Sequence, residues 1–109
     1  MNEWKIKGGN LYLIIDNVMR IRISKKMEDF QPFLKYDFRQ YNKDNYLYFE
    51  FNPEQIRTRN KLQFTLASYN VQELGLQCGD EVLCEFGKDF FGFRLKKVQK
   101  NNVKEQVTQ

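Results

Sequence analysis

The stretch NVQELGLQCGDEVLCEF, residues 70–86, contains the strongest local fold signals in this chain. A short amphipathic segment ends at Leu74, and Gly75 suits the left-handed backbone that terminates many helices. Gly79-Asp80 predicts a turn, and the apolar side chains of residues 82–86 alternate as they do on one face of a strand. The stretch therefore predicts a short helix that turns sharply into a strand.

Alternating apolar patterns elsewhere predict a mainly β fold with one or two short helices. Aromatic residues make up 16% of the chain, and only six Gly and two Pro are present, a composition that favours strands over disorder. The predicted strands cover residues 11–15, 18–23, 34–40, 46–51, 61–66, 82–86 and 90–95.

Turn-forming and helix-capping residues between these strands predict how the strands are joined. Asp16-Asn17 predicts a tight turn that pairs residues 11–15 with residues 18–23 as a hairpin. Pro53 is expected to end the strand over residues 46–51. Ser24 and Ser68 are expected to be the N-caps of two short helices, the first of which stops near Pro32.

A weak internal repeat links the two halves of the chain. Ser24-x-x-Met27-Glu28-Asp29-Phe30 matches Ser68-x-x-Val71-Gln72-Glu73-Leu74 in chemical type, 44 residues apart, and each follows an alternating strand. A strand followed by a short helix, occurring twice, favours a small pseudo-symmetric β-barrel of hairpins. The alternative is that the two short amphipathic helices resemble each other by chance. We expect a single β-rich domain over residues 1–98 and a flexible polar tail over residues 99–109.

Composition argues against several functional classes. The chain has no His and only two Cys, so a closed zinc site and a Ser-His or Cys-His couple have no residues to form them. Cys78 and Cys84 are interpreted as small buried apolar residues. No apolar run approaches the roughly 20 residues that span a bilayer. We therefore expect a cytoplasmic protein that is not an enzyme, does not contact membranes, and needs no metal or cofactor.

Residues 59–97 resemble the AbrB/SpoVT (MazE-like) swapped-hairpin family and related cradle-loop barrels. The shared elements are a strand (Leu62–Leu66), a short helix ending in Leu74-Gly75-Leu76, then Gly79-Asp80 and a strand hairpin (Val82–Leu95). The family's usual Pro after the first strand is replaced here by Ala67 or Ser68. The resemblance implies DNA binding, transcription regulation and an intertwined homodimer, whereas a barrel built from one chain implies a monomer.

In DNA-binding members of this family, basic residues surround the first strand and the loop beside it. Carried to this chain, the resemblance implies a duplex-binding surface, consistent with a formal net charge of +4. The implied residues are Arg57, Arg59 and Lys61, and, if the internal repeat is real, Arg20, Arg22, Lys25 and Lys26. The alternative is that these are ordinary solvated charges on strand edges.

A second hypothesis is a protein-interaction module, of the kind that phages and mobile elements use to block a host nuclease or defence complex. Tyr and Arg are the side chains that anchor many protein interfaces. The tyrosines that could form such a patch are Tyr36, Tyr41, Tyr46 and Tyr48. The alternative is that these tyrosines pack at the rim of the core and expose their hydroxyl groups to solvent.

Overall fold

The computed structural model describes residues 4–24 and 26–98. Within these ranges the mainly β class with two short helices is confirmed. The elements are β1 (Trp4–Lys7), β2 (Asn10–Ile14), β3 (Arg20–Ile23), a 3-10 helix (Glu28–Leu34), β4 (Tyr36–Lys43), β5 (Tyr46–Ile56), β6 (Leu62–Thr65), α1 (Ser68–Leu74), β7 (Glu81–Phe86) and β8 (Gly92–Lys97). The predicted tail, residues 99–109, lies outside the described residues.

The strands form two antiparallel sheets around one core. Six strands pair in the order β1-β2-β7-β8-β5-β4, and β3 pairs with β6 as a separate two-stranded ribbon. The inner face of the large sheet and the inner face of the ribbon both contribute to the same cluster of buried side chains. Aromatic rings dominate this core: Phe49 and Phe93 stack 4.8 Å apart, and Phe64 of the ribbon packs edge-on against both.

The two sheets do not join into the closed barrel that the sequence predicted. The six-stranded sheet ends at β1 and β4, and neither strand pairs through its backbone with the ribbon. A side chain bridges one of these gaps instead. Gln40 on β4 donates from Nε2 to the carbonyl oxygen of Thr65 (2.7 Å), and its Oε1 accepts from the N–H of Ala67 (3.1 Å).

The predicted hairpin between β2 and β3 is wrong, because the two strands belong to different sheets. The carboxylate of Asp16 accepts hydrogen bonds from the backbone N–H groups of Val18 (3.0 Å) and Arg20 (2.9 Å). Met19 adopts a positive φ of 59°. These bonds form a local loop that redirects the chain, so that β2 pairs with β7 and β3 pairs with β6.

Two predicted element ends also differ from the structure. Pro53 does not end β5, which continues to Ile56, because the ladder between β4 and β5 shifts register beside it: Asp37 faces Asn52, whereas Tyr36 faces Ile56. Bulges tolerate proline since they leave residues outside the ladder. Likewise Pro32 lies inside the 3-10 helix rather than beyond it.

The structure of residues 70–86 largely matches the prediction. Gly75 ends α1 with φ 67° and ψ 31°, although the N-cap is Ala67 rather than Ser68. Asp80 shapes the turn that follows, since its Oδ2 accepts from the N–H of Gln77 (2.9 Å) and its carbonyl oxygen accepts from the N–H of Ile15 (3.0 Å). Cys84 is buried in the core as expected, but the expectation that Cys78 is buried is wrong.

Candidate binding surfaces

The ribbon of β3 and β6 brings basic residues from two distant parts of the chain onto one surface. Ile21 pairs with Phe64, and both side chains are buried in the core. Because side chains alternate along a strand, Arg20 and Arg22 lie on the outward face, opposite Thr65 and Gln63. We call the outward basic residues of this region, Arg20, Arg22, Lys26 and Lys61, the basic ribbon.

One carboxylate lies within the basic ribbon. Asp16 Oδ2 is 3.1 Å from Nε of Arg20 and 3.8 Å from Nε of Arg22. Burial of this carboxylate opposes its ionisation, but hydrogen bonds from the backbone of Arg20 and Val18 and from the Arg20 side chain outweigh that effect and lower its pKa. Asp16 therefore remains ionised at neutral pH and holds Arg20 in place, while Arg22 stays exposed.

The two lysines of the basic ribbon are exposed. Among the described residues, neither Lys26 nor Lys61 forms an ion pair, so both ammonium groups face solvent without a fixed counter-charge. Lys25 lies outside the described residues.

The remaining two predicted arginines lie apart from this surface. The exposed Arg57 is 3.5 Å from Oδ1 of Asp37. Arg59 is held inside the fold: its NH1 donates to the carbonyl oxygen of Phe33 (2.9 Å) and its guanidinium carbon lies 5.1 Å from the ring centroid of Phe38. Burial, followed by the nearby charge of Arg57, lowers the pKa of Arg59. This position gives Arg59 a structural role.

A second surface forms on the outer face of the six-stranded sheet. Tyr41 and Tyr48 stack in parallel across β4 and β5 with centroids 5.1 Å apart, and Tyr46 lies 6.3 Å from Tyr48. Tyr36 is not part of this group, since it packs against Phe91, 5.6 Å away. The three tyrosines are interleaved with cations, and we call the set Tyr41, Tyr46, Tyr48, Arg39, Lys43, Arg94 and Lys96 the tyrosine–cation face.

Arg94 lies at the centre of the tyrosine–cation face. Its guanidinium carbon is 3.9 Å from the ring centroid of Tyr46, its NH1 donates to the hydroxyl oxygen of Tyr48 (3.1 Å), and its Nε donates to Glu85 (2.9 Å). The hydrogen bond to Tyr48, together with the bond and charge of Glu85, raises the pKa of Arg94 despite the opposing effect of burial. These contacts place one cation against two aromatic rings.

A second cation–tyrosine group lies beside it on β4 and β5. Arg39 donates from NH2 to Oε1 of Glu50 (2.8 Å), and its guanidinium carbon is 5.0 Å from the ring centroid of Tyr41. Tyr41 donates its hydroxyl proton to the same Glu50 oxygen (3.1 Å). The hydrogen bond from Arg39 is the main cause of the lowered pKa of Glu50.

An open groove of about 1070 Å³ borders this face. Tyr41, Tyr48 and Arg94 contribute to its lining, together with Phe86 and Phe90 at the β7–β8 connection. The face therefore adjoins a concave region as well as open solvent.

The sequence identified the tyrosines of this face but not its cations. Arg94 and Lys96 alternate with the core residues Phe93 and Leu95, and this alternation places them on the outer face. The missing information was strand order: only the pairing of β8 with β5 places Arg94 opposite Tyr48.

Comparison with protein-family models, curated proteins and solved structures finds no match to this chain. Neither helix in the described part of the chain is long and apolar enough to cross a membrane. Over the same residues, no three Cys, Asp or Glu side chains are grouped as metal ligands.

Proposed function

We propose that this protein is a non-catalytic DNA-binding regulatory module that docks on duplex phosphates through the basic ribbon. The observation that supports this most directly is the antiparallel pairing of β3 with β6, which turns Arg20 and Arg22 outward while Ile21 and Phe64 fill the core. Lys61 precedes β6, and the pairing of Leu62 with Ile23 brings it to the same end of the ribbon as Lys26.

The spacing of the ribbon suits a phosphate backbone. Gln63 pairs with Arg22, so Lys61 is a diagonal neighbour of Arg22 across the two strands. Diagonal neighbours lie about 7–8 Å apart, which lets two long cationic side chains contact successive phosphates. Asp16 offsets part of this charge, yet its ion pair also holds Arg20 next to Arg22. On the basis of the resemblance to swapped-hairpin proteins, we also propose a homodimer. Such a dimer would present two basic ribbons to one duplex.

Cellular location is part of the same proposal. The two thiols of the chain, Cys78 and Cys84, are both free, which suits the reducing cytoplasm where such regulators act.

Replacing Arg22, Lys26 and Lys61 together with Ala tests the basic ribbon. Each phosphate that the variant no longer neutralises should lower the slope of log affinity against log salt by about 0.9, so the triple variant should have a slope shallower by up to about 2.7. Fluorescence anisotropy with a labelled duplex of about 20 base pairs, between about 50 and 200 mM salt, measures this. Arg57→Ala is the matched control, because Arg57 is an exposed arginine outside the ribbon. Equal slopes for the wild type and the triple variant would contradict docking through the ribbon.

A protein-interaction module is the second candidate. The observation that favours it is the joining of Tyr46 and Tyr48 with Arg94 on one exposed face, since Tyr and Arg predominate in interface hot spots. A stoichiometric partner protein, captured from the native host and surviving nuclease treatment, would support this candidate. If the Tyr46→Ala variant no longer captures this partner, the protein interface is assigned to the tyrosine–cation face.

A further inference from the structure

A row of cationic, aromatic and aliphatic side chains crosses the whole outer face of the six-stranded sheet. The pairings of Lys43 with Tyr46, Lys96 with Leu83, Leu83 with Tyr12, and Tyr12 with Lys5 define its register. Lys96 joins the two halves of the row, because its Nζ lies 5.5 Å from the ring centroid of Tyr46. No carboxylate occupies any position in this row. In strand order its members are Lys5, Tyr12, Leu83, Lys96, Tyr46 and Lys43.

Four carboxylates near the row form ion pairs, whereas Asp44, in the turn beside Lys43, forms none among the described residues. Glu81 pairs with Lys5, Glu85 with Arg94 (2.9 Å), and Glu50 with Arg39 (2.8 Å). Asp37, on the same face of β4, is 3.5 Å from Arg57. Lys43 and Lys96 form no ion pair among the described residues, so the cations of this face that lack a fixed partner lie on both sides of Tyr46.

We propose that the tyrosine–cation face binds single-stranded nucleic acid. Tyr46 and Tyr48 provide aromatic surface on which unpaired bases stack, and Lys43 and Lys96 contact the phosphates that link those bases. Sheets that bind single strands combine these two elements, a stacking platform and a cationic track. This surface is separate from the basic ribbon, and the proposal does not depend on duplex binding there.

The geometry favours a single strand over a duplex at this face. Tyr46 and Tyr48 are half-buried residues on the outer face of β5, so they offer part of their rings to solvent and form no projecting element that could enter a groove. Bases expose their own faces only when they are unpaired. The row crosses five gaps between strands, about 24 Å at about 4.8 Å per gap, which is enough for the shortest single-strand sites of about four nucleotides.

The charge pattern favours a nucleic acid over a protein partner. Lysine is depleted at protein interfaces, whereas it is a common ligand of phosphate. The cations of this face without an ion pair are Lys43 and Lys96, and the carboxylates nearest the tyrosines, Glu50 and Glu85, are each paired with an arginine.

Anisotropy with a fluorescein-labelled oligothymidylate of about 15 nucleotides tests the proposal, because the probe has bases and phosphates but no duplex. Tyr46→Ala should weaken binding about 10-fold or more, since it removes one stacking platform. Replacing Lys43 and Lys96 with Ala should lower the salt slope by about 1.4, the value for two phosphates on a single strand. Tyr69→Ala is the matched control, because Tyr69 is 72% exposed on α1, outside this face, and its removal should leave binding unchanged.

Further measurements distinguish single-strand binding at this face from duplex binding, general polyanion binding and protein binding. Replacement of Arg22, Lys26 and Lys61 should leave oligothymidylate binding within about twofold, even if it abolishes duplex binding. Polyglutamate of matched charge should compete poorly, because it offers charge without bases. The proposal is overturned if the oligothymidylate does not bind, if Tyr46→Ala and Tyr69→Ala behave alike, or if polyglutamate competes equally. A folded Tyr46→Ala variant that binds oligothymidylate normally but loses a nuclease-resistant protein partner would assign the face to that protein.

Discussion

At the scale of single residues, the guanidinium of Arg59 covers an aromatic cluster. It lies 5.1 Å from the ring centroid of Phe38, 5.4 Å from that of Phe64 and 5.8 Å from that of Phe51. A cation in a partly desolvated site above aromatic faces is held by the quadrupoles of the rings. Arg59 therefore connects the ribbon and the large sheet, since Phe64 belongs to β6 and Phe38 and Phe51 belong to β4 and β5.

Replacing Arg59 with Ala should lower the free energy of unfolding by about 2 kcal/mol, because it removes the cation–π interactions and the hydrogen bond to the Phe33 carbonyl. Chemical denaturation followed by far-UV circular dichroism measures this. Arg57→Ala is the control and should change stability by no more than about 0.5 kcal/mol, because its ion pair is exposed. Equal midpoints for the two variants would contradict the structural role of Arg59.

Asp16 makes stability depend on pH. Its pKa is lowered in the folded state, so its contribution is present above the unfolded value of about 3.9 and is lost as the pH falls through the folded value. Asp16→Asn should be about 1 kcal/mol less stable than the wild type near pH 7, and this difference should disappear in acid. Thermal unfolding from about pH 7 to about pH 2 tests the prediction, with the exposed Asp89→Asn as control. A constant difference across that range would show that the Asp16 charge has no stabilising role.

At the scale of secondary-structure elements, local signals predicted what each segment forms but not which segments pair. The helix end at Gly75 and the turn at Asp80 follow from backbone conformation and short-range hydrogen bonds, so sequence patterns identify them. The partner of β3 depends on contacts with residues 39 to 45 positions away in β6. Asp16-Asn17 resembles a hairpin turn in sequence. Only the structure of residues 15–19, where Asp16 Oδ1 accepts from the N–H groups of Val18 and Arg20, shows that the strands diverge.

For the binding surfaces too, local sequence indicates candidate residues, and strand pairing determines which of them share a face. Strand sequences and a family resemblance indicate seven basic candidates. Only the fold distinguishes the exposed Lys61 from the internal Arg59, two residues away. Three of the four candidate tyrosines share a face because of the β4–β5 register, whereas Tyr36 lies beyond the register shift in that ladder.

The close approach of β8 to β5 depends on Gly92. A Cβ at this position would collide with the backbone carbonyl oxygen of Phe49, which a side-chain rearrangement cannot relieve. Gly92→Ala should therefore lower the free energy of unfolding by about 2–3 kcal/mol, and far-UV circular dichroism with denaturant measures the decrease. In the control, Gly8→Ala, the new Cβ meets no atom within 4 Å, so only the strain of its positive φ, about 1 kcal/mol, is expected. A smaller decrease at Gly92 than at Gly8 would contradict the predicted collision.

At the scale of the whole molecule, the two proposed surfaces face away from each other across one core. The ribbon supplies Ile21, Ile23, Leu62 and Phe64 to that core from one side, and the inner face of the six-stranded sheet closes it from the other. The basic ribbon and the tyrosine–cation face are therefore outward sides of opposite layers. Variants in one should leave the other intact, so that duplex and single-strand binding can be measured independently on the same protein.

Titration of a labelled duplex with the wild-type protein at increasing salt measures whether the basic ribbon docks on duplex phosphates. We predict binding at about 50 mM salt that weakens steeply by about 200 mM, in proportion to the number of phosphates neutralised. Absence of duplex binding at about 50 mM salt, or an affinity that does not change with salt, would contradict docking on duplex phosphates.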